Sequence, residues 1–346
     1  MLEKEYTNQE KEIENIEEYY LSVITRYLGA DPQGLIQNLE NHNRSWDQWY
    51  PKLEQSEKDG QKSFFDAGAE RVVYMLLNRG DILGDPNSNP VGSDNSFLKY
   101  DRDFKRYLAI NIDVKAIKAN TNFNDFIGNT PIGINQNSYK SNIEYTEKNE
   151  LAELKHYVPN LDTDYLIEGK NYLNITYFVV ILYCELPTDT DTPKEQRVIS
   201  VITNCVPNGK LHSIYEDKVF RAGKTSNLAI KKGEQIELPN GEIIVAEGTE
   251  NKKKLEEIFG SYEKYQKING MKKIRWHVDA RFNYKDIKFS TLEKHKQSRV
   301  KKIFLKDDFY NEFFYHVNEN KRRKEPINRK KDTVDSFKFL ENLPFF

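Results

Sequence analysis

Cysteine is scarce: Cys184 and Cys205 are the only two in 346 residues. Neither sits at a metal-ligand spacing, which excludes a disulfide framework and a thiolate zinc site and reads as small apolar packing in a reducing compartment. Long apolar runs are missing as well. The longest, Ile175 to Cys184, is strand-sized and far short of the roughly eighteen residues that span a bilayer. The N-terminus lacks the basic start and apolar core of a signal peptide. A soluble, cytoplasmic protein with no membrane partner is therefore expected. No Walker lysine follows a glycine-rich loop, so no nucleotide cofactor is expected. The six histidines do not pair at ligand spacing. Net charge is small, −2, but it balances 52 basic against 54 acidic residues, so charge distribution rather than sum must indicate a partner.

What is present reads as an α/β chain with a mixed central β-sheet flanked by helices, with helical N-terminal and C-terminal elaborations. Ile13, Ile16, Tyr20, Val23, Ile24 and Tyr27 recur at helical spacing up to Gly29, with acidic residues on the opposite face. A short polar segment follows. A second helix is predicted over 63–78, stopped by Gly80 and carrying Glu70. Strands are predicted at 108–117, 171–186, 198–206 and 274–282, and Pro239-Asn240-Gly241 marks a hairpin. Helices are expected from near Ser141 or later, over 251–267 and at the C-terminus, where basic runs at 321–324 and 329–331 suit phosphate contacts. No repeat or Gly/Ser linker divides the chain. The expected organisation is 1–60, an N-terminal helical region suited to dimerisation; 61–240, a catalytic core; and 241–346, a C-terminal α/β extension.

The strand after Gly92-Ser93-Asp94 carries the chemistry. Successive strand residues face opposite ways, so Leu108, Ile110, Ile112 and Val114 share an apolar face while Asn111, Asp113 and Lys115 share the other. Asp94 lies a hairpin's length upstream of Asp113. Mg²⁺ takes one or two carboxylates and fills its octahedron with water and phosphate oxygens. Asp94 and Asp113 fit that role, with the Val114 carbonyl as a further ligand and Lys115 beside the attacking water or a nonbridging oxygen. The acid-x-lysine triplet also occurs at 103–105, 153–155, 168–170 and 286–288. Only 113–115 combines clean alternation with an upstream acid and a following amide-rich stretch.

Asp94…Asp113-Val114-Lys115 resembles the motif of the PD-(D/E)xK nucleases, with Ser93 where the proline stands. The surroundings are similar to EcoRV-like type II restriction endonucleases, over about residues 64–232. That resemblance implies Mg²⁺-dependent cleavage of double-stranded DNA at a short palindromic site by a homodimer, leaving 5′-phosphate and 3′-hydroxyl ends. It places an accessory acid on Glu70 and base contacts in the asparagine-rich loop at Asn87 and Asn89. The loop Ala222-Gly223-Lys224-Thr225-Ser226-Asn227 after Arg221 is similar to a major-groove reading loop. Asn135, Gln136 and Asn137 are further candidates, since amides bond adenine and Arg or Lys bond guanine. Alternatives are a structure-selective repair or recombination nuclease of the same fold, and a non-catalytic DNA-binding or host-defence protein.

Overall fold

The computed structural model describes residues 6–41, 64–79, 82–87, 92–118, 129–143, 156–186, 195–225, 235–237, 243–245, 278–284, 286–290 and 297–305. The chain divides into two compact units. The larger comprises 1–142, 156–220 and 282–346; the smaller comprises 143–155 and 221–281.

Three helices open the larger unit: α1 (Asn8–Leu28), α2 (Pro32–Asn41) and α3 (Phe64–Leu77). A capping box starts α1. Glu10 donates its backbone N–H to the Thr7 hydroxyl, and the Glu10 carboxylate accepts from the Thr7 N–H at 2.8 Å. Gly29 closes the helix, its N–H returning to the Thr25 carbonyl. Strands β1 (Asp85–Pro86), β2 (Asn95–Asp101), β3 (Arg106–Lys118), β4 (Thr130–Ile132), β5 (Ser141–Asn142), β6 (His156–Tyr157), β7 (Asp164–Ile167), β8 (Lys170–Leu186) and β9 (Glu195–Val206) follow. A single turn, α4 (His212–Tyr215), precedes β10 (Phe220–Thr225), β11 (Gln235–Glu237), β12 (Ile243–Val245), β13 (Val278–Phe282) and β14 (Val300–Leu305).

The central sheet runs β1-β2-β3-β8-β9-β14, with β7 also on β8. β3 and β8 pair in parallel and their neighbours antiparallel, so the sheet is mixed, as expected. Register explains the layering. Ile112 lies beside Tyr177 and Tyr177 beside Cys205. On that face Tyr177 donates its hydroxyl to the Glu17 carbonyl of α1 at 2.9 Å, and the Thr25 and Thr203 hydroxyls meet at 2.6 Å. One position along, Asp113, Phe178 and Asn204 point the other way. There the Asn204 amide donates to Thr130 of β4 at 3.1 Å. The strand is therefore covered on both faces, and residues 108–114 are all buried. Asn111 and Asp113 are interior groups, not a solvated edge.

Several expectations change. The segment after α1 is not merely polar: Leu35 and Leu39 are buried on α2. Ser141 and Asn142 form a short strand paired with β6, and a helix beginning after them would fall outside the described residues. Residues 222–225, expected as a loop, extend β10, where alternation with Phe220 continues the strand. β11 and β12 pair antiparallel, in keeping with the hairpin expected there, while Pro239-Asn240-Gly241 lie outside the described residues. The helices expected at 251–267 and near the C-terminus, with both basic runs, lie outside the described residues.

The acidic face of α1 is the largest departure. Glu14 and Glu17 are completely buried, as is Arg299 just before β14. Arg299 Nη1 stands 2.8 Å from Glu17, and Nη2 stands 3.5 Å from Glu14. The guanidinium lies between the rings of Phe289 and Tyr215, 4.2 and 4.7 Å from their centroids, and donates to the Tyr215 hydroxyl at 2.9 Å. Burial pushes the Glu17 carboxyl up to about 7, and Arg299 pulls against that rise. The cluster ties the first helix to the far end of the chain.

Candidate active site

β2 and β3 form a hairpin in which Asn95 faces Ile112 and Asp101 faces Arg106. Its turn is held by Asp101, which accepts the backbone N–H groups of Asp103 and Phe104 at 2.9 and 3.1 Å. Lys105 turns the chain with φ of 51°. Continuing the register one step beyond Asn95 brings Asp94 opposite Asp113. Asp94 accepts the Val114 N–H at 2.6 Å. A residue's N–H and C=O leave a strand on the same side, so the Val114 carbonyl also faces the Asp94 edge.

Asp113 is 2% exposed. Lys115 Nζ stands 2.7 Å from Asp113 Oδ1 as an ion pair. Oδ2 accepts from the Gln136 side-chain amide. Burial pushes the Asp113 carboxyl up to about 7; Lys115 pulls it down, while the negative charges of Asp94 and Glu70 push it up again. Glu70 is half-buried on α3, which packs against β3, and its charge is felt at Asp113.

A surplus of negative charge, with Asp94 and Glu70 acting on a buried Asp113 that one ammonium faces, is the arrangement a divalent cation relieves. Among the described residues, no three His, Cys, Asp or Glu side chains converge as a ligand set. Two carboxylates and a main-chain carbonyl, with water completing the shell, match a hard cation such as Mg²⁺ better than a closed protein cage. The residues present therefore fit such an ion.

Among the described residues, the competing triplets do not build such a site. Asp103 and Lys105 belong to the hairpin turn. Glu168-Gly169 forms the β7–β8 turn, with φ of 50° and 74°. Asp286 and Lys288 are exposed. The triplet at 153–155 lies outside the described residues.

The amides expected to read bases separate into groups. Asn135 is exposed and accepts from the Asn160 side chain at 2.6 Å. Gln136 is half-buried against Asp113. Asn137 is fully buried, donating to the Tyr157 hydroxyl at 2.5 Å and accepting the Tyr139 N–H at 2.8 Å, which leaves no amide facing a base edge. Asn87 is half-buried beside β2, its N–H on the Ser96 carbonyl at 2.8 Å. Arg221 is exposed. Lys224 and Thr225 lie on the strand that replaces the expected loop, whereas Asn89, Ser226 and Asn227 lie outside the described residues. Sequence reasoning missed the bond from Gln136 to Asp113. The only signal was an amide in a turn beyond the strand, and turn chemistry favours such residues generally.

Gly92 locks this neighbourhood. Its φ is +71°, and a Cβ there would lie 1.5 Å from the Asn135 carbonyl oxygen, in backbone that cannot swing aside. Gly92→Ala is expected to displace both the Asp94 loop and the 133–136 turn. Since a shift of about 1 Å at a reacting centre costs on the order of 10²-fold, DNA cleavage by this variant should fall at least about tenfold. Single-turnover rates on plasmid would check it.

The chain's family is that of a type II restriction endonuclease, a deoxyribonuclease. Residues 9–189, more than half the chain, match the family model "Type II restriction enzyme MwoI, N-terminal domain", and the chain belongs to that family. Two solved structures are similar in fold. One is the restriction endonuclease BglI bound to its DNA recognition sequence, with TM-score 0.48, 15% identity, and coverage of 63% of this chain and 83% of that one. The other is the tetrameric restriction endonuclease SfiI bound to cognate DNA, with TM-score 0.47, 14% identity, and coverage of 62% and 74%. No curated protein sequence matches the chain. No helix among the described residues is long and apolar enough to cross a membrane.

Proposed function

We propose that the protein is a Mg²⁺-dependent endonuclease that cuts double-stranded DNA at a short palindromic sequence, acting as a homodimer. The observation that carries this reading is the hairpin register: it sets Asp94 opposite Asp113, with Lys115 Nζ 2.7 Å from Asp113 on the same strand. Asp94, Asp113 and the Val114 carbonyl would hold the cation. When bound, it supplies positive charge to the phosphoryl oxygens and lowers the pKa of a coordinated water.

The chain's own groups then divide the remaining work. Lys115 donates a hydrogen bond to the attacking water or to a nonbridging oxygen, and its charge offsets the negative charge that builds up as phosphorus is attacked in line. Glu70 adds negative charge beside Asp113, which strengthens the pull on a cation or orients a water. Attack opposite the 3′ oxygen breaks the P–O3′ bond and leaves 5′-phosphate and 3′-hydroxyl ends. A palindrome presents the same bases on both strands, so two copies related by a two-fold axis address one scissile phosphate each. The exposed Asn135 and Arg221 stand as base or backbone contacts in this reading, with Asn87 beside the loop that leads to Asp94.

Plasmid incubated with the protein and Mg²⁺ should yield discrete bands whose ends a ligase reseals. A smear from linear DNA, or cutting confined to branched substrates, would replace sequence specificity with structure selectivity.

A further inference from the structure

Gln136 has no assigned part in the reaction, yet it touches the buried carboxylate at its centre. Its amide does two things at once. Nε2 donates to Asp113 Oδ2, and Oε1 accepts the Gly133 N–H at 2.8 Å. Residues 133–136 form a tight turn, closed by the Gln136 N–H on the Gly133 carbonyl at 3.0 Å. The side chain thus straps the turn to Asp113, and the turn cannot move without moving the amide. The same turn rests on the other acid's loop, because the Asn135 carbonyl oxygen abuts Gly92, two residues before Asp94. Its tip is open to solvent: Ile134 is 46% exposed, and Asn135 beside it is exposed.

A cation approaching Asp113 meets two donors already in place, Lys115 at Oδ1 and Gln136 at Oδ2. Lys115 is needed for the chemistry. Gln136 is a neutral donor and competes for a lone pair the cation would use. We infer that Gln136 is a latch on the metal site: it occupies Asp113 Oδ2 in the free protein and releases it when DNA engages the 133–136 turn. This rests on the metal reading given above. It makes loading of the cation follow DNA binding, which restrains an enzyme carrying a competent nuclease centre from acting before it is seated.

The test is Ca²⁺ binding to the DNA-free protein by calorimetry, which reads affinity without turnover. A hydrogen bond to a charged group is lost when the latch is removed, so Gln136→Ala should bind Ca²⁺ about tenfold to hundredfold more tightly than wild type. Gln136→Met, which keeps the length and loses the donor, should do the same and carries the test if the alanine variant misfolds. Adding Asp113→Asn to either should abolish the gain. Equal or weaker Ca²⁺ binding by the folded Gln136 variants would overturn the latch while leaving the nuclease reading intact. Mg²⁺-dependent cleavage that survives Asp113→Asn would instead remove the metal reading and the latch with it.

Discussion

Asp113→Asn should lose DNA cleavage by about 10³-fold or more and yet be the more stable protein in EDTA. Both effects follow from one cause. The native carboxylate is buried against Asp94 and Glu70, and burial with those charges raises its pKa to about 7. Above that pH the free protein holds an ion it would prefer neutral, so the charge costs stability there, and the cost fades as pH falls below about 7. Asparagine keeps the shape and removes the charge. Recovering about 1 kcal/mol would raise Tm by roughly 1–2 °C in a chain of this size. In the proposed function the same carboxylate would hold the cation that supplies positive charge to the phosphoryl group, so its removal would take away that electrostatic support. Mg²⁺ discriminates further. An ion present at about a hundredfold excess over Kd stabilises by roughly 2.7 kcal/mol, and wild type should show this while the variant should not. Differential scanning fluorimetry with and without Mg²⁺, beside plasmid cleavage, reads both halves. A site that costs stability in order to act is a familiar compromise.

Arg299→Met should destabilise the fold by about 3–5 kcal/mol, the cost of breaking a buried ion pair from one side. Glu14 and Glu17 are completely buried and face this guanidinium. Without it, two carboxylates must be protonated or dragged toward water, and the stacking on Phe289 and Tyr215 goes as well. Urea denaturation followed by tyrosine and tryptophan fluorescence measures the loss. Adding Glu14→Gln and Glu17→Gln to the same protein should recover a large part of it, because replacing the whole cluster leaves no uncompensated charge. If the triple variant is as unstable as Arg299→Met alone, packing rather than charge holds this end of the sheet. The damage would also reach the hairpin that carries the acids, because α1 rests on β9 and β14 and in addition holds that hairpin through Tyr20 on Asp101 at 2.5 Å and Glu12 on Arg106 at 3.0 Å.

The elements that position the site were legible in the sequence because they are local. Alternation along 108–114 marks a strand and assigns Asp113 and Lys115 to one face, and the preceding turn residues mark the hairpin that returns Asp94. Long runs rich in Val, Ile, Tyr and Phe marked β8 and β9. What stayed hidden depends on contacts distant along the chain. Glu14 and Glu17 read as a solvated helix face because their partner, Arg299, is 282 positions from Glu17. Asp113 read as half of a polar face, but cover from the β4 side makes it an interior group, and that burial is the largest cause of its raised pKa. Gln136 and Asn137 are adjacent amides of the same turn-like composition. One grips the carboxylate and the other is sealed under Tyr157, a difference that periodicity does not carry. The strand at 222–225 was masked by glycine and threonine that suit a loop equally well.

The most direct test of the site is single-turnover cleavage of plasmid DNA by wild type, Asp94→Asn and Lys115→Gln, each shown to be folded by circular dichroism, in Mg²⁺ and in EDTA. Wild type in Mg²⁺ should give discrete fragments with ligatable ends, and every other combination should leave the plasmid uncut over the same interval. A folded variant at either position that cuts at the wild-type rate, or wild type cutting equally well in EDTA, would contradict the assignment of a metal-dependent nuclease centre to Asp94, Asp113 and Lys115.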